Sequence, residues 1–279
     1  MVKDITKREF DFSDKDFNSI VNIVKEKTGI TLASHKRNMV YGRLAKRLRE
    51  LGFDTFSQYI AYLNDVKGEE ETGNFVNAIT TNLTSFFREG HHFDHLKSYL
   101  RGIVASNPAK KRIRIWSSAS SSGQEPYSIA MTVMEAMPNI KQWDVKILAT
   151  DIDTGMLEKC KAGEYKADML EDIPAEYRKK YVVESSKDGT IMMADSLKQL
   201  LTFKPLNLLH AFPMKGPFDA VFCRNVVIYF DKPTQKDLFN RIAGILKPDG
   251  LLYLGHSESL FKVSDRFELE ARTTYKRIS

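Results

Sequence analysis

Apolar positions in the first ninety residues recur at three- and four-residue spacing, the period of a helix with one buried face. "SDKDFNSIVNIVKEKTG" opens at a capping Ser13 and closes at Gly29, and "SHKRNMVYGRLAKRLRELG" repeats the pattern and stops at Gly52. "TFSQYIAYLND" predicts a third helix capped by Thr55 or Ser57, and "GNFVNAITTNLTSFFREGHHFDHLKSYLRGIVAS" continues the helical pattern. After the basic, proline-containing break "NPAKKR", short β-rich runs alternate with helices: "RIRIWSS", "EPYSIAMTVMEAM", "DVKILATD", "TGMLEKCKAG", "FDAVFCRN", "TQKDLFNRIAGILKPDG" and "LLYLGHSE". That alternation predicts βαβ units around a mostly parallel sheet.

Composition narrows this picture only a little. With 279 residues, 28% charged and 42% hydrophobic, the chain reads as an ordinary globular protein able to bury a substantial core. No apolar run approaches the ~20 residues of a membrane helix, and the start has no leader pattern, so a cytoplasmic location without membrane insertion is expected. Cys160 and Cys223 fall in helix and strand contexts, which suggests buried thiols rather than a disulfide. A net charge of +6 allows an acidic partner without naming it.

Parallel sheets of this kind bind ligands beyond the carboxyl ends of their strands. At the first such end, small residues from Ser117 to Gly123 let a ligand lie against the backbone, ahead of a helix start at Glu125 and Pro126. The loop lacks the Gly-Lys-Ser/Thr of a phosphate cradle and has one glycine where a dinucleotide fingerprint has three. A carboxylate at Glu125 would repel a pyrophosphate but suit a cationic group such as an α-ammonium. The competing structural reading is a capping box between Ser122 and Glu125, or Pro126 opening the helix at its first position. Asp151 ends the second strand, where an acidic side chain can accept from ribose hydroxyls, and Asp153 reads as the next N-cap. Arg224 and Asn225 lie between apolar runs, a placement that suits a site better than a core. "HHFDH" puts His91 and His95 one turn apart; with no third ligand evident, this reads as a polar helix face and no metal is expected.

"TNLTSFFRE", "WSSASSSGQEPYSIA", "ATDIDT", "FCRNVVIYF" and "LKPDGLLYLGHSE" stand in the order found in the chemotaxis receptor methyltransferases, and the chain resembles that CheR family over nearly its whole length. The resemblance implies a Rossmann-like class I methyltransferase sheet (111–279) with a small antiparallel β-subdomain insertion (165–206). An all-α N-terminal domain (1–80) and an interdomain helix and linker (81–110) would precede it. "KYVVESSKDGTIMMADSLKQLLTFKP" would supply three short strands of that insertion, turning first at Asp188-Gly189.

The implied activity is methyl transfer from S-adenosylmethionine to glutamate side chains of chemoreceptor cytoplasmic domains, leaving γ-methyl esters and S-adenosylhomocysteine. Matching positions place Asn82, Thr84, Arg88, Glu125, Asp151, Asn207, Leu208, Arg224 and Asn225 around the cofactor, with Arg88 and Tyr229 positioning the substrate carboxylate. An ionised glutamate needs no general base, so no catalytic His or Cys is expected. On the second helix Val40, Leu44, Leu48 and Leu51 form an apolar stripe, and Lys36, Arg43, Lys46 and Arg47 a basic face of the kind the family docks on acidic receptor helices. Relatives that tether to a C-terminal receptor pentapeptide carry a glycine-rich loop on the insertion. "ESSKDGT" has only Gly189, which predicts independence of the pentapeptide. The rivals are a nucleic-acid methyltransferase of the same fold and a silent receptor-binding module. Against the first, "RNVVIY" lacks the prolines and aromatic of base-amine enzymes; against the second stand the retained Arg88, Glu125, Asp151, Asn225 and Tyr229.

Overall fold

The computed structural model describes residues 8–279, which form two compact units: the chain up to Thr81 with Tyr229–Asp231, and Asn82–Ile228 with Lys232–Ser279.

Four helices build the first unit: α1 (Asp14–Thr28), α2 (Arg37–Leu51), α3 (Phe56–Leu63) and α4 (Glu69–Ile79). Their ends follow local chemistry. Ser13 and Asp16 close a capping box on α1, Thr55 and Gln58 close another on α3, and left-handed Gly29 and Gly52 end α1 and α2. Two details differ from the helical reading of the second segment. Ser34–Lys36 form a tighter 3₁₀ turn and Lys36 is the N-cap of α2, outside the helix. The apolar stripe is also one turn shorter: Val40, Leu44 and Leu48 are fully buried, whereas Leu51 is 39% exposed at the frayed end beside Gly52.

Beneath α2, Arg47 donates from Nε to Glu71 Oε1 (2.8 Å) and from Nη2 to Oε2 (2.6 Å). Tyr59 OH (2.9 Å) and Asn74 Nδ2 (3.0 Å) complete the set around the same carboxylate. Burial pushes the Glu71 carboxyl up, but these hydrogen bonds and the Arg47 charge outweigh it and hold the group below its ordinary value. Arg43 Nη1 donates to the carbonyls of Ile79 (2.6 Å) and Thr80 (2.7 Å), acceptors that the end of α4 leaves without helical partners. Two of the four proposed docking cations are therefore bound into their own unit, Arg47 also pairing with Glu50.

Between α4 and the second unit's first helix, "TNLTSFFREG" is not helical. The run from Gly73 to Ser106 splits into the end of α4, an irregular stretch, and α5 (His91–Ser106). After α5 come β1 (Arg112–Ser117), α6 (Gln124–Ala136), β2 (Asp144–Asp151), α7 (Thr154–Ala162), β3 (Glu164–Lys166), α8 (Ala175–Tyr181), β4 (Val182–Glu184), β5 (Thr190–Met193), α9 (Asp195–Lys198) and β6 (Leu201–Pro205). The unit closes with β7 (Phe218–Phe222), α10 (Lys232–Ile245), β8 (Leu246–Tyr253), β9 (Phe267–Ala271) and β10 (Thr274–Arg277).

The main sheet runs β6-β2-β1-β7-β8-β10-β9, parallel from β6 to β8, with β10 antiparallel to both its neighbours. This is the expected α/β sheet of the class I methyltransferase type after an all-α region. The chain leaves β1 in one direction through β2 and β6 and returns on its other side through β7 and β8, so the order reverses between β1 and β7. Such a reversal opens a crevice at the strand ends.

The small sheet is antiparallel, as expected, in the order β3-β5-β4, but its strands are not all those of the predicted segment. "LTFKP" is β6 of the main sheet, pairing in parallel with β2, and the third small strand is β3, directly after α7. Short strands of similar composition give no sign of which sheet they will join.

Candidate cofactor site at the strand reversal

The crevice between β1 and β7 gathers most of the polar residues singled out above. Main-chain bonds extend the sheet beyond β1: Ser118 N donates to Phe222 O and Ser120 N to Thr150 O, both at 2.9 Å. The chain then turns into α6 through Gly123, at φ 103°. A Cβ there would stand 2.5 Å from the Tyr165 hydroxyl and 3.2 Å from Cys160 Sγ, so the single glycine of the loop is required by both backbone and space.

The capping-box alternative is not realised. Gly123 is the N-cap, Pro126 takes the third helical position rather than the first, and Glu125 turns its carboxylate inward. Glu125 Oε1 accepts from Ser117 Oγ (2.7 Å) and Oε2 from Arg224 Nη1 (2.9 Å). Burial pushes this carboxyl upward, with the Arg224 charge acting in opposition. Arg224 also donates from Nη2 to the Arg88 carbonyl, and the same nitrogen is 3.5 Å from Glu89 Oε2. Ser118 Oγ and Arg224 Nε are buried without a hydrogen-bond partner. Unsatisfied buried donors and acceptors are costly, and their concentration around Glu125 is the mark of a place that receives a polar ligand.

Asp151 stands at the tip of β2, with Oδ2 accepting from Ser121 N (2.7 Å) and Oδ1 from Asp153 N (2.9 Å). Burial raises its carboxyl to about 6, against the pull of those N–H groups. Asp153 caps α7 as expected and also accepts from Asn82 Nδ2 at 2.8 Å, while the Asn82 carbonyl accepts from Ser121 Oγ at 2.9 Å. Asn82 thus fastens the "TNLTSFFRE" segment to the loop after β1. Thr84 is half-buried on that segment, and Arg88 Nη1 turns back to the Leu83 carbonyl at 3.1 Å. Asn207 Oδ1 accepts from Leu209 N (3.0 Å) and Leu208 is buried, on a loop that starts with Leu206 N bonded to Asp151 O (3.0 Å). Asn225 follows Arg224 in a left-handed conformation, φ 57°. Phe87, Glu89 and Ser121 share that rarely adopted backbone region, as do Asn107, Asp249, Lys262 and Thr273. Tyr229 belongs to the helical unit, where its carbonyl accepts from Thr31 N at 2.8 Å.

The CheR methyltransferase all-alpha domain matches residues 15–80 and the CheR methyltransferase SAM binding domain matches residues 82–276. The chain belongs to the CheR methyltransferase family. It is 42% identical to the chemotaxis protein methyltransferase of Salmonella typhimurium, over 94% of this chain and 90% of that one. It is 41% identical to that of Escherichia coli (94% and 91%) and 41% identical to chemotaxis protein methyltransferase 2 of Pseudomonas aeruginosa (96% and 95%). S-adenosylmethionine is the cofactor of this CheR domain, and the inward Glu125 carboxylate fits an ammonium group while the unpartnered Arg224 Nε–H fits a carboxylate, the two charged ends of an amino-acid moiety.

Glu258, Gly255 and Arg241 of this CheR site were not singled out, and Ser117 was named only as one of the small loop residues. Glu258, 5% exposed, accepts from the N–H groups of Asn225 (2.9 Å), Val226 (3.0 Å), Val227 (2.9 Å) and Gly255 (2.6 Å), and so fixes the turn that presents Arg224. A Cβ on Gly255 would stand 2.4 Å from Asn225 Nδ2, which explains the glycine before His256. Arg241 of α10 donates to the carbonyls of Leu208 (2.6 Å) and His210 (2.7 Å), holding the loop after β6. Ser117 positions Glu125. "LGHSE" and the serine run carried Glu258 and Ser117 in plain view, whereas nothing local distinguishes Arg241 from a solvated helix cation.

Proposed function

We propose that this CheR methyltransferase converts glutamate side chains of chemoreceptor cytoplasmic domains to γ-methyl esters, in the cytoplasm, as part of sensory adaptation. The observation that carries the reading is the inward Glu125 carboxylate, held by Ser117 and Arg224 at the strand reversal, where a phosphate-binding loop would keep its acids away. Bound S-adenosylmethionine supplies an electrophilic sulfonium methyl. In this reading Glu125 and Arg224-Asn225 hold the amino-acid end of the cofactor, Asp151 accepts from the ribose hydroxyls, and Asn207-Leu208 flank the adenine. Asn82, Thr84 and Arg88 cover it, while Arg88 and Tyr229 orient the incoming carboxylate. That carboxylate is ionised at neutral pH, so positioning accounts for most of the catalysis the protein must supply.

Receptor docking falls to the helical unit. Arg43 and Arg47 also serve their own fold, so the exposed Lys36 and Lys46, the latter 3.7 Å from Glu50 at the surface, are the more available cations of this face for acidic receptor helices. The turn after β4 has Gly189 as its one glycine, in support of a pentapeptide-independent enzyme.

One experiment tests the reading: incubation with methyl-labelled S-adenosylmethionine and either a receptor cytoplasmic fragment or RNA. Base-labile label on the receptor fragment is expected, falling severalfold at low receptor concentration for a Lys36→Glu, Lys46→Glu double variant. Label on RNA, or on neither, would overturn it.

A further inference from the structure

Beside Arg224, three side chains of the CheR domain turn buried polar atoms toward one another. Glu89 Oε2, His91 Nε2 and His92 Nδ1 lie within 4.8 Å of each other, and none has a hydrogen-bond partner. The Glu89 side chain is 10% exposed and that of His92 fully buried. Arg224 Nη2 stands 3.5 Å from the same Glu89 oxygen, and the His91 and His92 rings lie with their centroids 4.2 Å apart. His92 Nε2 lies 2.9 Å from Thr273 Oγ1, and its Nδ1 faces Glu89 Oε2 at 3.8 Å.

We propose that Glu89, His91 and His92 form a binding site for a divalent transition-metal ion of the zinc class. Two imidazoles and a carboxylate are the donor set such ions take, at bonds of about 2.0–2.2 Å and ligand separations of about 3.3 Å. The donors therefore close by some tenths of an ångström to about 1.5 Å on binding. The outer contacts are already in place: Thr273 Oγ1 meets the far nitrogen of the His92 ring, and His256 Nδ1 lies 3.1 Å from the other Glu89 oxygen. His91 is half-buried and His256 is mostly exposed, which gives the ion a way in. Arg224 keeps Glu125 and the Arg88 carbonyl when Glu89 turns to the metal, but its charge beside the site holds the affinity below that of structural zinc sites. The site is distinct from the His91/His95 pairing weighed from the sequence: His95 Nδ1 bonds the Tyr253 hydroxyl at 3.1 Å and Nε2 faces Glu270 at 3.4 Å.

The test is titration of untagged, chelator-treated protein with Co²⁺, followed by visible absorption, and then displacement by Zn²⁺. One Co²⁺ per chain is expected at micromolar concentration. Affinity should fall at least tenfold in His91→Ala and in Glu89→Gln and stay unchanged in His95→Ala, with circular dichroism verifying the fold of each. His92 is left in place because it is fully buried. No saturable binding by the parent protein, or equal binding by a folded His91→Ala variant, overturns the proposal.

Discussion

Two buried carboxylates in this CheR methyltransferase each meet one arginine, yet they are satisfied to different degrees. In the helical unit, Glu71 receives four hydrogen bonds, two from Arg47 and one each from Tyr59 and Asn74. In the α/β unit, Glu125 receives two, from Ser117 and Arg224, while Ser118 Oγ and Arg224 Nε nearby receive and give none. The electrostatic consequences run in opposite directions. The bonds around Glu71 overcome its burial and hold it below the ordinary carboxyl range, whereas burial dominates at Glu125 and drives it above. A carboxylate with all its lone pairs matched serves the fold, and one left short of partners keeps capacity for a ligand.

The comparison breaks most visibly at Glu71. Glu71→Ala leaves the Arg47 charge and the Tyr59 hydroxyl without their shared acceptor, and removing one member of a buried pair costs about 3 kcal/mol. Denaturant unfolding should show that loss in the presence or absence of cofactor. The sign with pH follows from the lowered carboxyl: its contribution is present above the unfolded carboxyl value near 4.3 and is lost as pH falls through the still lower folded value. An unfolding midpoint within error of the parent's would mean the four bonds merely replace water.

How far each carboxylate could be read from the sequence follows the same division. The placement of Glu125 at the crevice was legible because it follows a run of small residues that makes a charged side chain conspicuous, and that of Asp151 because a strand's end is a place sequence patterns locate well. That Arg43 and Arg47 also bind within their own unit was not legible, because the Glu71 carboxylate and the end of α4 that meet them lie 24 to 37 positions away. Helical periodicity reports which face of a helix a residue occupies, not what waits opposite it. The same limit hid Arg241, and hid Glu89 and His92, whose meeting with Arg224 and Thr273 joins segments distant in the chain. Conversely, β6 was misassigned because an extended run five residues long carries no mark of its partner strand.

Glu125→Gln is the complementary change. It keeps the shape of the side chain but leaves buried Arg224 with one carboxylate fewer, so the unfolding midpoint of the free protein should fall, by less than for Glu71→Ala because burial opposes the Glu125 charge. Cofactor affinity should fall at least tenfold, about 1.4 kcal/mol or more, on loss of the partner for an ammonium group. Calorimetric titration beside an unfolding curve reads both. A protein that melts early while its folded fraction binds normally would move Glu125 into the same class as Glu71.

Asp151 gives the smallest and most graded test, because its carboxyl is raised to about 6 by burial. A raised acid contributes stability that is present below the unfolded value near 3.9 and is lost as pH climbs through about 6, so the free protein gains from protonation there. Ribose hydroxyls donate best to the ionised form, and cofactor binding must therefore expel that proton at low pH. Affinity should fall about tenfold between pH 7 and pH 5, the fraction ionised at one unit below the midpoint. Asp151→Asn should bind more weakly at pH 7 and lose the slope. Equal slopes in parent and variant would assign the pH dependence to another group and return Asp151 to the role its two N–H bonds already give it, bracing the loop after β1.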